Sequence, residues 1–400
     1  MQMVDPIANL VKIKAQSVGV SKDLALLFVS RVLMRVSLGA LGVFLPIYLY
    51  NFLQGDIKLV VLIFASIYML HVLLAPIAAK LFEVWGMRRM MWLGIAMASV
   101  SVLALYFLEQ SPVYGIVFYI LSVSIYRAFY WVPYQVDLSR ELDEQKRGRQ
   151  LALMANLSDA LVVVVPFLGG VAIAVSGFEQ VFLFASFLML LAIIPLLFIS
   201  DVYERYSWGY LQSFAKLFSK ENRSLFIAQA ANGAQSVVTL FFWPLYVYLI
   251  SQKQFVVLGA VTSATIVLIM ALRYATGKWF DKAKKDKLLL TGVLLSATGW
   301  FFKVFVQTPL QAIFVDTYHR MGRAVNGLTF SAVTYEQSAD SGSYIDEYTT
   351  LKEMAVNLGR VLMLLVVGIL LLKFNLKIAF IVAAIVTLFM IILEKFEGIR

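Results

Sequence analysis

The chain is 400 residues long, 61% hydrophobic and only 14% charged, with 34 Lys and Arg against 24 Asp and Glu and a formal net charge of +10. Soluble domains carry about 25% charged residues, so this composition excludes an ordinary water-soluble enzyme and points to a membrane protein. The absence of cysteine excludes disulfides, thiolate metal sites and cysteine nucleophiles.

The first 23 residues are mixed and polar, without the short apolar core and small-residue site of a cleaved leader, so the first apolar run is expected to remain in the protein. Apolar runs follow near 24–50, 58–82, 88–108, 113–134, 151–175 and 180–199. After a polar stretch come 224–250, 255–277, 287–305, 309–334, 350–372 and 377–394. A bilayer core takes about 20 apolar residues per helical crossing. Barrel strands are about ten residues long and alternate in polarity; these runs do neither, and helices satisfy their own backbone in lipid. An all-α protein of twelve transmembrane helices is predicted. Residues 200–223 place Trp208, Leu211, Phe214, Leu217 and Phe218 among polar residues, the pattern of a helix lying on a membrane surface. They divide the chain into 1–199 and 224–400, two bundles of six helices.

The basic surplus sits between the runs, where it sets topology and does not suggest nucleic acid. With the N-terminus inside, the inner segments hold 22 Lys and Arg; the outer loops hold five, Lys58, Lys253, Lys303, Lys373 and Lys377. That asymmetry predicts two cytoplasmic termini and a multi-pass protein of the cell membrane. The other seven, Arg31, Arg35, Arg127, Arg273, Arg320, Arg323 and Arg360, lie in or at the rims of spans.

The halves repeat at an offset of 198. Pro46-Ile47-Tyr48-Leu49-Tyr50 closes span 1 and Pro244-Leu245-Tyr246-Val247-Tyr248 closes span 7. Ala79 and Glu83 pair with Gly277 and Asp281, and Pro112 falls one residue from register with Pro309. Repeated halves mark secondary transporters, with the site near mid-membrane between them. After span 2 the chain reads Glu83, Gly86, Arg88 and Arg89; after span 8 it reads Gly277, Asp281 and Lys282, then Lys284 and Lys285. These segments resemble the loop motif of the major facilitator superfamily, and the resemblance extends over essentially the whole chain. The first copy has Ala79 for the leading Gly and Val84 for a base. The resemblance implies two pseudo-symmetric six-helix bundles working by alternating access, with these loops latching the outward-open state. An acid near a helix N-terminus is favoured by the helix dipole, and the neighbouring bases can pair with it. Pro166-Phe167-Leu168-Gly169-Gly170 is similar to the end of the family's Gly-Pro motif, and small residues there also allow close helix packing.

Ionisable groups inside spans are costly and are functional candidates by default. Asp316, His319, Arg320 and Arg323 share one face of span 10 at i, i+3, i+4 and i+7. Arg31 and Arg35 lie one turn apart on span 1. In the family resembled, spans 1, 4, 7 and 10 line the cavity. Arg31, Arg35, Arg127, Gln229, Asn232, Arg320 and Arg323 are therefore candidate substrate-binding residues. Guanidinium suits carboxylate or phosphate, so a small anionic or zwitterionic organic solute is expected. Asp159, Asp316, His319, Glu353 and Arg360 are candidates for coupling to protons, with Asp159 and Arg360 a possible ion pair between spans 5 and 11. Arg273 reads as an anchor near the inner end of span 8, and His71 as a packed or hydrogen-bonded residue.

No nucleotide-cradling loop, zinc-protease or serine-hydrolase motif is present. The expectation is a monomeric, non-enzymatic, proton-coupled secondary transporter without metal or cofactor, whose partners are its solute, protons and the bilayer. Multidrug or metabolite efflux, or a receptor or lipid-handling protein of the same fold, are the alternatives.

Overall fold

A computed structural model describes residues 21–141, 147–203, 205–280, 285–340 and 345–393. Among these residues the regular structure is entirely helical. Among the described residues nine helices are long and apolar enough to cross a membrane: Lys22–Phe52, Ile57–Trp85, Met87–Tyr106, Pro112–Val136, Asn156–Ser176, Phe178–Leu196, Arg223–Ile250, Phe255–Arg273 and Glu347–Leu370. They are spans 1 to 8 and span 11. Helices Lys285–Lys303 and Pro309–Asp340, with the shorter Ile378–Ile392, occupy the places of spans 9, 10 and 12. Large apolar side chains such as Leu62, Phe118, Phe184, Phe305 and Ile369 are exposed, as a lipid-facing surface requires.

Proline sets the breaks, because it lacks an amide hydrogen and clashes with the preceding turn. Span 1 is interrupted before helix Leu45–Phe52, and span 7 passes through a π-helical turn, Val238–Phe242, before helix Trp243–Ile250. Each of these end helices opens one residue before its proline, Pro46 or Pro244, and their first residues are 198 apart. Helices Ile57–Trp85 and Phe255–Phe280 start in the same register. Span 5 is broken between Val162 and Val165, ahead of Pro166. Pro112 and Pro309 both stand first in their helices, where the missing donor costs nothing.

Within each half the third span packs on the fourth and sixth, as spans 3, 4 and 6 and spans 9, 10 and 12. Across the halves, span 2 packs on span 11, and span 5 packs on span 8. Exchanging the halves converts one interface into the other. Spans 1 and 7 also meet, through Leu45–Phe52 and Trp243–Ile250, where Asn51 Nδ2 donates to the Tyr248 hydroxyl at 3.1 Å. This is the expected outer end. Gly169 abuts Ala40 of span 1 and Gly170 abuts Phe255 of span 8, so the small residues after Pro166 serve close packing.

Spans 7 and 11 approach backbone to backbone. A Cβ on Gly233 would lie 1.9 Å from the Val356 carbonyl oxygen, and one on Gly359 2.0 Å from that of Ala230. Gly359→Ala is expected to cost about 1–3 kcal/mol by overpacking, read as a lowered thermal midpoint in detergent. Gly327, with nothing within 4 Å of its missing Cβ, is the control whose alanine variant should hold or raise the midpoint, because alanine is the better helix former.

The linker contains one eight-residue helix, Tyr210–Leu217. Leu211 is exposed, as the surface-helix reading requires. Leu217, Trp208 and Phe214 instead pack with Val72 and Ala75 of span 2 and with Leu351, Met354 and Ala355 of span 11. The linker therefore sits over the seam between the halves.

Candidate functional site

Two arginines from opposite halves converge on one neutral acceptor. Arg127 of span 4 donates through Nη2 to Asn357 Oδ1 at 3.0 Å, and Arg360 of span 11 donates through Nη1 to the same oxygen at 2.8 Å. Their guanidinium carbons lie 4.9 and 5.1 Å from the centroid of the same ring, Tyr68 of span 2. Asn357 Nδ2 donates to the Glu353 carbonyl at 2.7 Å and to its Oε2 at 3.4 Å, which turns the amide oxygen toward the arginines. Arg127 Nε is buried without a hydrogen-bond partner. Among the described residues neither guanidinium has a carboxylate in salt-bridge contact. Arg360 Nε is occupied by Ser236 Oγ at 3.1 Å.

Beside this clamp a polar chain links span 4 to span 11. Lys352 Nζ donates to Gln135 Oε1 at 3.0 Å, and Gln135 Nε2 donates to Glu353 Oε1 at 2.5 Å. His71 Nε2 lies 3.6 Å from Glu353 Oε2, and His71 is fully buried. His71 thus faces a carboxylate across the halves.

The other seam carries a different charge group. Asp159 of span 5 accepts from Arg35 Nη2 of span 1 at 2.8 Å and from Arg273 Nη1 of span 8 at 2.8 Å. Arg35 Nη1 also donates to Ser158 Oγ. The expected Asp159–Arg360 pair is not formed. Span 5 faces span 8 while span 11 faces span 2, so those two side chains belong to opposite seams. Arg273 is likewise more than an anchor, because it ties the second half to Asp159. Asp159→Asn should loosen this seam. The chain has no cysteine, so Met154→Cys provides a single reactive thiol, and its alkylation rate should change by about tenfold when Asp159→Asn is added, the equivalent of 1.4 kcal/mol. An unchanged rate would remove Asp159 from control of this seam.

A third group lies inside the second half. Lys303, assigned from sequence to an outer loop, is fully buried at the end of span 9. Its Nζ lies 2.7 Å from Asp316 Oδ1, 3.3 Å from His319 Nδ1, and 4.1 and 4.3 Å from the ring centroids of Trp243 and Trp300. Asp316 Oδ2 accepts from Arg320 Nε at 2.8 Å. The His319 ring lies 4.3 Å from that of Trp300. Arg323 reaches across to span 7, where Nη1 donates to Thr239 Oγ1 at 3.4 Å. The shared face predicted on span 10 therefore divides: Asp316 and His319 turn into the packed interior, and Arg320 and Arg323 remain half-buried.

Arg31 stacks its guanidinium on Trp131 and Tyr134 of span 4, 4.4 and 5.4 Å from their centroids. Gln229 is buried and Asn232 half-buried on span 7. In the loop after span 2, Gly86 adopts φ 75°, and a Cβ there would lie 2.6 Å from Asp201 Oδ1, so glycine is required. Asp201 accepts from the Arg88 backbone amide at 3.1 Å and lies 3.9 Å from Arg88 Nε. Glu83 pairs with Lys80 at 2.6 Å; it stands in the last turn of its helix, not near an N-terminus. The acid serving Arg88 comes from the chain following span 6, which sequence spacing could not reveal. Arg89 is exposed. Gly277 lies on the helix of span 8, while Asp281 and Lys282 fall outside the described residues, as do residues 1–20, on which the absence of a cleaved leader was read.

The family model described as Major Facilitator Superfamily matches residues 27–340. The chain belongs to the Major Facilitator Superfamily. Among solved structures it is similar to the E. coli fucose:proton symporter FucP, with a TM-score of 0.64 at 12% identity, covering 93% of this chain and 97% of that one. At that identity the likeness shows the fold. No curated protein matches the chain by sequence. The superfamily is one of multi-pass membrane transporters, so membrane transport by two pseudo-symmetric six-helix bundles stands as the general function.

Proposed function

We propose that this transporter moves a small organic anion or zwitterion by alternating access, with a proton as the coupled ion. The observation that carries the reading is the convergence of Arg127 and Arg360, from opposite halves, on Asn357 Oδ1. At an effective dielectric of about 20, two unit charges roughly 6 Å apart repel by about 3 kcal/mol. An anion between them converts that repulsion into attraction and joins the halves. Since the donors come from both halves, full engagement requires those halves to approach, and this links cargo to the rocking motion. Arg323 and Arg320, both half-buried on span 10, supply further positive field.

Two observations support proton coupling. The structurally similar FucP is named a fucose:proton symporter. In this chain the titratable pair His71 and Glu353 spans the seam 3.6 Å apart, and Glu353 holds the Asn357 amide that both arginines share. The charge asymmetry of the loops favours cytoplasmic termini in a plasma membrane.

The test is a thermal-shift screen of purified protein against anionic metabolites and lipophilic cations, followed by flux of a stabilising anion into liposomes. Stabilisation by anions is expected, with saturable flux that collapses when the proton gradient is dissipated. Stabilisation by cations alone would overturn the substrate class. Flux indifferent to the gradient would overturn the coupling, and binding without flux would favour a receptor.

A further inference from the structure

A cavity of about 210 Å³ is lined by residues of the first half. Its walls include Phe28, Arg31, Arg35, Tyr134, Met154 and Ser158, from spans 1, 4 and 5. The two arginines on its wall differ in their commitments. Arg35 is held by Asp159 and Ser158. Arg31 has no ion-pair partner among the described residues, and its Nη1 is buried without a hydrogen-bond partner. Its guanidinium is braced against Trp131 and Tyr134, which fixes the plane of the fork and lowers the entropy lost on binding.

From this geometry we propose that the Arg31 cavity is a second anion site, separate from the Arg127–Arg360 clamp, and that it takes a single-ring aromatic carboxylate. The unpartnered Nη1 offers a charged donor to the carboxylate. Phe28, Tyr134 and Met154 offer ring and thioether surfaces to an aromatic ring. The volume lies below the range of about 300–1,000 Å³ common for drug-sized ligands and accommodates a single ring. The site lies along span 4 from the clamp. Trp131 is four residues and Tyr134 seven residues beyond Arg127, about 6 and 10 Å at 1.5 Å per residue. All of its named walls belong to one half, so the site persists when the halves rock, whereas the clamp does not. It can hold cargo before the clamp engages it, or after the clamp lets go.

Calorimetric titration of the purified full chain with benzoate tests the proposal. Wild-type protein should bind benzoate, Arg31→Gln should weaken binding at least tenfold, and Arg127→Gln should leave at least one benzoate site within twofold of wild type. Met154→Trp, which fills the cavity while keeping Arg31, should also lose that site, and this covers the case in which Arg31→Gln does not fold. Acetate should bind at least tenfold more weakly than benzoate. The proposal is overturned if wild-type protein does not bind benzoate, if Arg31→Gln and Met154→Trp bind it normally, or if acetate binds equally well. It is overturned as a separate site if Arg127→Gln abolishes all benzoate binding. Failure of the clamp reading would show differently, as anion flux unaffected by Arg127→Gln.

Discussion

Arg127→Gln is expected to weaken binding of the transported anion by about 30-fold to several thousand-fold, because removing one partner of a buried, hydrogen-bonded charge pair costs about 2–5 kcal/mol. Arg360→Gln should do the same, since its guanidinium approaches the same oxygen from the other half. Lysine should not rescue either position: an ammonium is a point charge and cannot both stack on Tyr68 and offer a planar fork. Stability should move the opposite way. In the empty protein the two cations share one neutral acceptor, so losing either relieves repulsion, and the thermal midpoint without anion should hold or rise. Stronger apo stability with weaker anion binding is the signature of a binding role. A purely structural role predicts a lower midpoint with unchanged anion affinity, and that result would defeat the clamp. The measurement is a pair of thermal curves for each variant, with and without a saturating anion.

The spans were legible in the sequence because lipid demands long apolar runs, and the breaks because proline cannot continue a helix. The equal register of helices Leu45–Phe52 and Trp243–Ile250 follows directly from the paired Pro46 and Pro244 motifs. The partners of the buried charges were not legible in the same way. Spacing along one helix gives faces, and it placed Asp316 and Arg320 together correctly, as an i, i+4 pair. It could not say that span 5 faces span 8 and span 11 faces span 2, so Asp159 was joined to Arg360 in error. Lys303 was missed because it closes its helix four residues before the polar Gln307-Thr308, where a buried lysine and a loop lysine look alike. Trp243 and Trp300, which enclose it, carry no charge pattern to betray it. Asn357 is an uncharged residue that no spacing singles out, and its importance comes from two arginines on different helices.

Lys303 and Asp316 form the buried pair whose disruption should cost the most stability. Both are nearly or fully inaccessible, and breaking such a pair by removing one partner costs about 3–5 kcal/mol. The two single changes should differ. Lys303→Met leaves Asp316 its second partner, Arg320, at 2.8 Å. Asp316→Asn leaves Lys303 fully buried among Trp243, Trp300 and His319, and it also weakens the hold on Arg320. Asp316→Asn should therefore be the more damaging change. The double variant Lys303→Met/Asp316→Asn should recover much of the loss, because neutral side chains of similar length remove both desolvation penalties together. Thermal midpoints of the four proteins close a double-mutant cycle. Strictly additive losses would mean that the pair does not act as a unit. The pair also bears on transport, since Asp316 is the link by which Lys303 on span 9 orients Arg320 on span 10. In the double variant, fold stability should return while anion affinity stays reduced, because Arg320 Nε has lost its carboxylate. Full recovery of both would limit Lys303 and Asp316 to holding the second bundle together.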